Sequence, residues 1–225
     1  YGYSCGSASA VRLMRETAMD NRRAKLAAEA IAVSAGMAVL AGFIHQDLPW
    51  VQFGAAGFLL AAGTIASTLR TPIRTAEVLG LRVFGRKALL FSFAGCVAGV
   101  AGGMWHRAAL GLPSFPSGGL EAFALVACLI GAVEELIYRG WLQGRVRAFG
   151  WPASVAAASL AHGLYKAALF AWPGRAGGLD LACLSVGLGA AAMGIVPGLL
   201  REFSGSVVPA ILAHSVFDMM VYGAV

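Results

Sequence analysis

Two acidic residues stand side by side in GAVEELIYRGW (Gly131–Trp141), in the middle of an apolar run. Glu134 and Glu135 follow LEAFALVACLIGAV, and Arg139 stands four residues after Glu135. Further along, His162 and Lys166 lie in one apolar stretch and His214 and Asp218 in another. A charge at the centre of a bilayer costs about 2.5–3.5 kcal/mol on insertion scales, so the chain must compensate each of these groups. Carboxylates and imidazoles gathered away from bulk water can activate a water molecule, hold a metal or relay protons.

Spacing within each stretch narrows the chemistry. Glu135 and Arg139 are i,i+4, share one helical face and can pair without leaving the helix. His214 and Asp218 have the same spacing. Glu134 points about 100° away from Glu135, so one carboxylate is neutralised while the other faces a cavity. A carboxylate and a histidine there can activate water, and a second histidine backed by an acid can donate to a developing oxyanion. Those are the parts of a hydrolase acting on a peptide bond. The chain has no G-x-S-G, no H-E-x-x-H and no G-x-G-D, which argues against serine, zinc site-2 and aspartyl intramembrane enzymes. Lys166 reads as snorkelling toward the outer interface near Trp172, and His45 and His106 read as interfacial.

The elements that must position these residues are membrane helices. Of 225 residues 59% are hydrophobic and only 12% charged, against about 25% charged in soluble domains. The chain is expected to be an integral membrane protein, an all-α polytopic transmembrane helix bundle. Seven spans of the length a bilayer requires are predicted at 26–44, 50–69, 88–106, 120–144, 151–172, 179–200 and 206–224. The division expected is a cytoplasmic N-terminal segment over 1–25 and a single membrane domain over 26–225. With the N-terminus cytoplasmic and the C-terminus outside, thirteen of the seventeen basic residues fall on the inner side, as the positive-inside rule asks. Arg145, Arg147 and Arg201 are placed in inner connections and Arg107 outside. The opening YGYSCGSASA has no basic region ahead of an apolar core and does not read as a cleaved signal peptide.

On this map three separate helices carry polar groups to one level. Glu134 lies about 15 Å from the cytoplasmic end of its span, His162 about 16 Å and His214 about 12 Å, with Asp218 about 6 Å further. Nucleic-acid binding is excluded, because the basic residues flank apolar spans and form no continuous patch. The four cysteines (Cys5, Cys96, Cys128, Cys183) show no C-x-x-C pair and no metal-ligand spacing, and the three inside apolar spans read as small buried hydrophobes.

These motifs resemble a known family. EELIYRG (Glu134–Gly140) resembles the EExxxR motif of the CPBP family, the CAAX-protease and bacteriocin-processing membrane proteins. SLAHG with His162, and HSVFD from His214 to Asp218, are similar to its two later histidine motifs, and EVLGLRVFGRK (Glu77–Lys87) to the loop that precedes them. The resemblance covers residues 77–225. It implies a glutamate-type intramembrane endopeptidase in which Glu134 activates water and His162 shares that task. Glu135 and Arg139 would hold the motif, and His214 with Asp218 would line the oxyanion site. Two positions depart from the pattern: Ala158 stands where an aromatic is usual, and Asp218 where the CAAX enzymes have Asn. An ionised Asp cannot donate to an oxyanion, so Asp218 is expected to orient His214 or to be kept protonated.

The partners expected are the lipid bilayer and a membrane-associated protein or peptide substrate: a C-terminal anchor, a leader or a CAAX-like tail. The Ala-, Gly- and Arg-rich composition suits a GC-rich bacterium, hence a bacterial inner membrane and one of the first two substrates. No cofactor is expected. Three alternatives stay open: a zinc protease using Glu134, His162 and His214 as ligands, a non-proteolytic immunity or scaffold protein, and, more weakly, a proton-coupled transporter.

Overall fold

A computed structural model describes residues 5–43, 72–81, 85–118, 122–171 and 181–223. Its elements are α1 (Cys5–Phe43), a short α2 (Pro72–Leu79), α3 (Arg86–Ala109), α4 (Ala122–Glu135), α5 (Trp151–Phe170), α6 (Leu181–Ser204) and α7 (Val208–Tyr222). Between α4 and α5 the chain continues through a π-helical stretch (Leu136–Leu142), one further α-turn (Gln143–Val146) and a 3-10 turn (Arg147–Phe149). The fold is all-α, and no strand occurs among the described residues. The spans expected at 88–106, 151–172, 179–200 and 206–224 coincide with α3 and α5–α7 to within a few residues. The one at 26–44 covers only the second half of α1, and the one at 120–144 takes in α4 with the π-helical stretch and the turn after it. The one at 50–69 lies outside the described residues. Helix α1 runs without a break through position 25, although its described side chains from Arg12 to Lys25 are exposed and burial begins only near Ala30.

Which surfaces are apolar distinguishes this bundle from a water-soluble one. Helices α3 and α6 are long and apolar enough to cross a membrane, and only 28% of the most apolar window of each is buried inside the protein. The outward faces carry Leu89, Leu90, Phe93, Val97 and Trp105 on α3, and Leu181, Leu184, Leu188, Ile195 and Val196 on α6. Soluble monomers rarely expose continuous apolar surface on this scale. These faces suit lipid.

Packing inside the bundle relies on small residues, because lipid gives helices little hydrophobic reason to associate and close backbone contact must supply it. Helix α3 packs along α7 and α5 along α6, while α4 lies against α7. A side chain added at Gly95, Gly99 or Gly103 of α3 would collide with Pro209, Ala213 or Met220 of α7. Gly163 of α5 approaches Gly187 and Ala191 of α6 in the same way. Between α4 and α7, Cys128 Sγ donates to Ser215 O and Ser215 Oγ donates to Cys128 O, each at 3.2 Å.

The segment after α4 is fixed from several sides. Gln143 N–H reaches back to Tyr138 O, five residues earlier, which is the wide turn of a π-helix. Val78 of α2 approaches Gly144, where a Cβ would collide with its carbonyl, and Leu79 O would lie 3.2 Å from a Cβ at Gly140. Arg201 of α6, expected in a loop, is instead buried and donates through Nε to Arg139 O at 3.0 Å and through Nη2 to Val78 O at 2.9 Å. Arg107, expected outside, is fully buried in α3 and donates to Pro113 O and Met220 O. His106, read as interfacial, is half-buried edge-on to Phe217.

Overpacking a close contact costs about 1–3 kcal/mol, and here the obstacle at Gly99 includes α7 backbone. Gly99→Val is therefore expected to lower the thermal unfolding midpoint in detergent by several degrees, whereas Phe93→Leu on the lipid face leaves it nearly unchanged.

Candidate active site

Helix α4 ends on the two glutamates, and each carboxylate has its own set of partners. Glu135, fully buried, accepts from Arg139 Nη1 at 2.9 Å. Its Oε1 also accepts from His214 Nδ1 of α7 at 2.8 Å. Glu134, also buried, has His162 Nε2 of α5 at 3.0 Å from Oε2 and Lys166 Nζ at 2.7 Å from Oε1. The division expected from the spacing is thus present: Glu135 holds Arg139 and Glu134 does not.

Arg139 is the junction of three helices. Besides Glu135, its Nη1 lies 3.0 Å from His162 Nδ1, and its Nη2 donates to Gly194 O of α6 at 2.9 Å. Gly194 has no side chain for good reason, since a Cβ there would collide with Arg139 Nη2. Pro197 lies one turn further along α6 and interrupts its backbone ladder. Side chains from the π-helical stretch and the turn after it bond carbonyls on either side of it, Arg139 at Gly194 and Gln143 at Gly198.

This arrangement sets the tautomer of His162. A guanidinium only donates, so Nδ1 facing Arg139 is the unprotonated nitrogen and Nε2 carries the hydrogen, donated to Glu134 Oε2. Tyr138 stacks on the imidazole, with ring centroids 4.8 Å apart. Ala158, at the position where an aromatic was expected, is fully buried in the same apolar cluster as Tyr138 and Tyr165, and the aromatic face against His162 comes from Tyr138.

His214 is oriented through Nδ1 by Glu135 and not by Asp218. Its Nε2 lies 3.8 Å from Asp218 Oδ2 and 3.8 Å from Glu134 Oε2, beyond hydrogen-bond distance of both. Asp218 acts on it through charge alone. Gly131 makes this approach possible, because a Cβ there would lie 2.7 Å from Asp218 Oδ2 and 3.1 Å from His214 Cδ2.

Lys166 was misread from the sequence. It does not reach for the outer interface but turns to Glu134, with its side chain 20% exposed. Side chains on a helix lean toward its N-terminus, which on α5 means toward the level of His162. The i,i+4 relation to His162 was the available signal. Arg201 and Tyr138 were also missed, because the sequence shows neither the π-helical turn nor what packs on it.

The same hydrogen bonds bear on zinc. Coordination by His162 needs a lone pair on a ring nitrogen, but Nδ1 faces a guanidinium and Nε2 is the protonated one. An ammonium already sits on Glu134. Among the described residues no group of three or more His, Cys, Asp or Glu side chains has the disposition to hold a metal ion, so the set Glu134, His162 and His214 does not fit zinc as arranged.

Residues 116–220 match the family model described as type II CAAX prenyl endopeptidase, Rce1-like. Over this stretch, just under half of its length, the chain is similar to an Rce1-like domain. No curated protein and no solved structure matches the chain. The matched stretch begins just ahead of α4, ends within the last turn of α7 and holds Glu134, Glu135, Arg139, His162, Lys166, His214 and Asp218. It starts later than the resemblance from Glu77 implied, so α1, α2 and α3 pack around it from outside the matched region. The similarity is, at this level, to membrane endopeptidases of the CAAX-protease type.

Removing one partner of a buried ion pair costs about 3–5 kcal/mol. Arg139→Met is expected to destabilise the protein by that amount in reversible unfolding from mixed micelles. In wild-type protein labelled with nitrogen-15 histidine, the His162 resonances are expected to be those of the neutral ring protonated at Nε2.

Proposed function

We propose that the protein is a glutamate-type intramembrane endopeptidase in which Glu134 activates the attacking water. The observation that carries this reading is the buried Glu134 carboxylate, held at one oxygen by His162 Nε2–H with His214 Nε2 close by and unbonded. Each carboxylate oxygen keeps a second lone pair, so water can bind without displacing His162. Glu134 accepts a proton from water as the oxygen attacks the scissile carbonyl. His214, its Nδ1–H committed to Glu135, presents Nε2 toward the site and, with a proton there, donates a hydrogen bond to the oxyanion. The proton held by Glu134 then passes to the leaving amine as the C–N bond breaks. His162 keeps its tautomer throughout and orients the base.

The substrate proposed is a membrane-associated protein or peptide, entering from the cytoplasmic leaflet or through lipid. We favour a C-terminal anchor or a leader over a CAAX-like prenylated tail, on the bacterial character of the composition. An inner-membrane location with a cytoplasmic N-terminus follows from the distribution of basic residues. The histidine tautomer speaks against the zinc alternative, and the second, unpaired-nitrogen histidine speaks against a purely structural scaffold.

Purified protein in detergent is to be incubated with anchor, leader and prenylated-tail peptides, beside Glu134→Gln and His162→Ala, with and without phenanthroline. Glu134→Gln is expected to lower kcat at least about 1,000-fold, a loss in the range assigned to general bases, with folding intact. Cleavage is expected to survive the chelator. Full activity in Glu134→Gln would sink the reading, and chelator sensitivity of the purified enzyme would return zinc to it.

A further inference from the structure

The site holds three carboxylates, Glu134, Glu135 and Asp218, within reach of one imidazole: Glu135 Oε1 is 2.8 Å from His214 Nδ1, and Glu134 Oε2 and Asp218 Oδ2 are each 3.8 Å from Nε2. The permanent cation Arg139 is committed to Glu135, with its remaining described bonds to His162 and Gly194 O. It leaves Glu134 to another partner. That partner is Lys166, whose Nζ donates to Oε1 at 2.7 Å. The Lys166 ammonium also lies 5.6 Å from the Tyr165 ring centroid.

The positions on α5 give this contact a definite form. His162 and Lys166 are one turn apart on the same face, and each binds a different oxygen of Glu134. Two donors from one helix hold the carboxylate at both ends, so its plane is fixed and not only its position. Three helices thus each contribute a pair at spacing four: Glu135 with Arg139, His214 with Asp218, and His162 with Lys166. Resting on the reading of Glu134 as the base, we propose that Lys166 is a positioning residue of the reaction, keeping Glu134 ionised and turned toward the water.

A merely structural lysine and a substrate-binding lysine make different predictions. Lys166→Met removes the charge and keeps the length of the stem, and Lys166→Gln keeps a hydrogen-bond donor without the charge. Infrared spectra of the purified variants at neutral pH are expected to show a protonated-carboxyl band that is absent from wild type and from Lys166→Arg. Adding Glu134→Gln to either neutral variant is expected to remove it. With a cleavable peptide, both neutral variants are expected to lose at least about 100-fold in kcat, the lower range for impaired acid–base catalysis, with KM changed less than about threefold, the split that separates chemistry from binding.

The absence of that band in both neutral variants overturns the proposal, as does a loss confined to KM, which would make Lys166 a substrate contact. Failure of both variants to fold makes it a structural residue and overturns it too. The infrared result does not depend on turnover. If Glu134→Gln still cleaves, the catalytic reading fails while the band still reports whether Lys166 holds the charge.

Discussion

The structure depends on compensating buried charge within hydrogen-bond distance. Two opposite charges 4 Å apart attract by roughly 4 kcal/mol at an effective dielectric of 20, far less than the Born cost of taking both out of water. A buried pair is therefore tolerated only where geometry is good and the remaining donors and acceptors are used. Arg139 meets that condition because its planar group has donors in several directions. One nitrogen serves Glu135 and His162, and the other serves Gly194 O. A lysine, with a single compact head, has no such fork.

Much of the backbone design serves this one side chain and its neighbours. The π-helical turn carries Arg139 and Tyr138 toward α5 and presents Arg139 O to Arg201. Gly194 opens α6 to the guanidinium, and Gly131 opens α4 to His214 and Asp218. Short π-helical turns within α-helices are found mostly at functional sites, since the extra residue re-aims side chains on either side of it. Here it follows directly on the two glutamates. Helix α2, outside the matched region, closes on this turn through Leu79 and on the next through Val78. The matched region is thus braced by residues that precede it in the chain.

What the sequence made legible was whatever obeys helical periodicity. The i,i+4 relation of Glu135 to Arg139 and the opposite facing of Glu134 follow from 3.6 residues per turn, and both are seen. The common depth of Glu134, His162 and His214 follows from rise per residue and from span limits, and the three do converge. Tertiary features were not legible. Lys166 had two places to put its charge, and only the position of Glu134 relative to α5 decides between them. Asp218 was expected to orient His214 by its spacing, yet Glu135, from another helix, offers the shorter contact. Arg107 and Arg201 were assigned to connections because each stands one residue past an apolar span. The carbonyls that hold them, those of Pro113, Met220, Val78 and Arg139, come from elsewhere in the fold.

The adjacent glutamates can be explained by the division of their partners. Two neighbouring carboxylates on a helix diverge by about 100°, so they meet different helices. Glu135 meets Arg139 and His214, and the hydrogen bonds set the orientation of the second imidazole. Glu134 meets α5, where His162 and Lys166 take one oxygen each. Arg139 then joins the two halves, because the nitrogen that holds Glu135 also faces His162 Nδ1 and so dictates which His162 nitrogen donates to Glu134. A shift in the Glu135–Arg139 pair would disturb both histidines, one directly and one through its tautomer. Glu135 is in this sense as necessary to Glu134 as the groups that touch it. The apolar run around the pair supplies the low dielectric in which these contacts become selective, and the close packing of α4 on α7 through Gly131 keeps that selectivity from relaxing into alternative pairings.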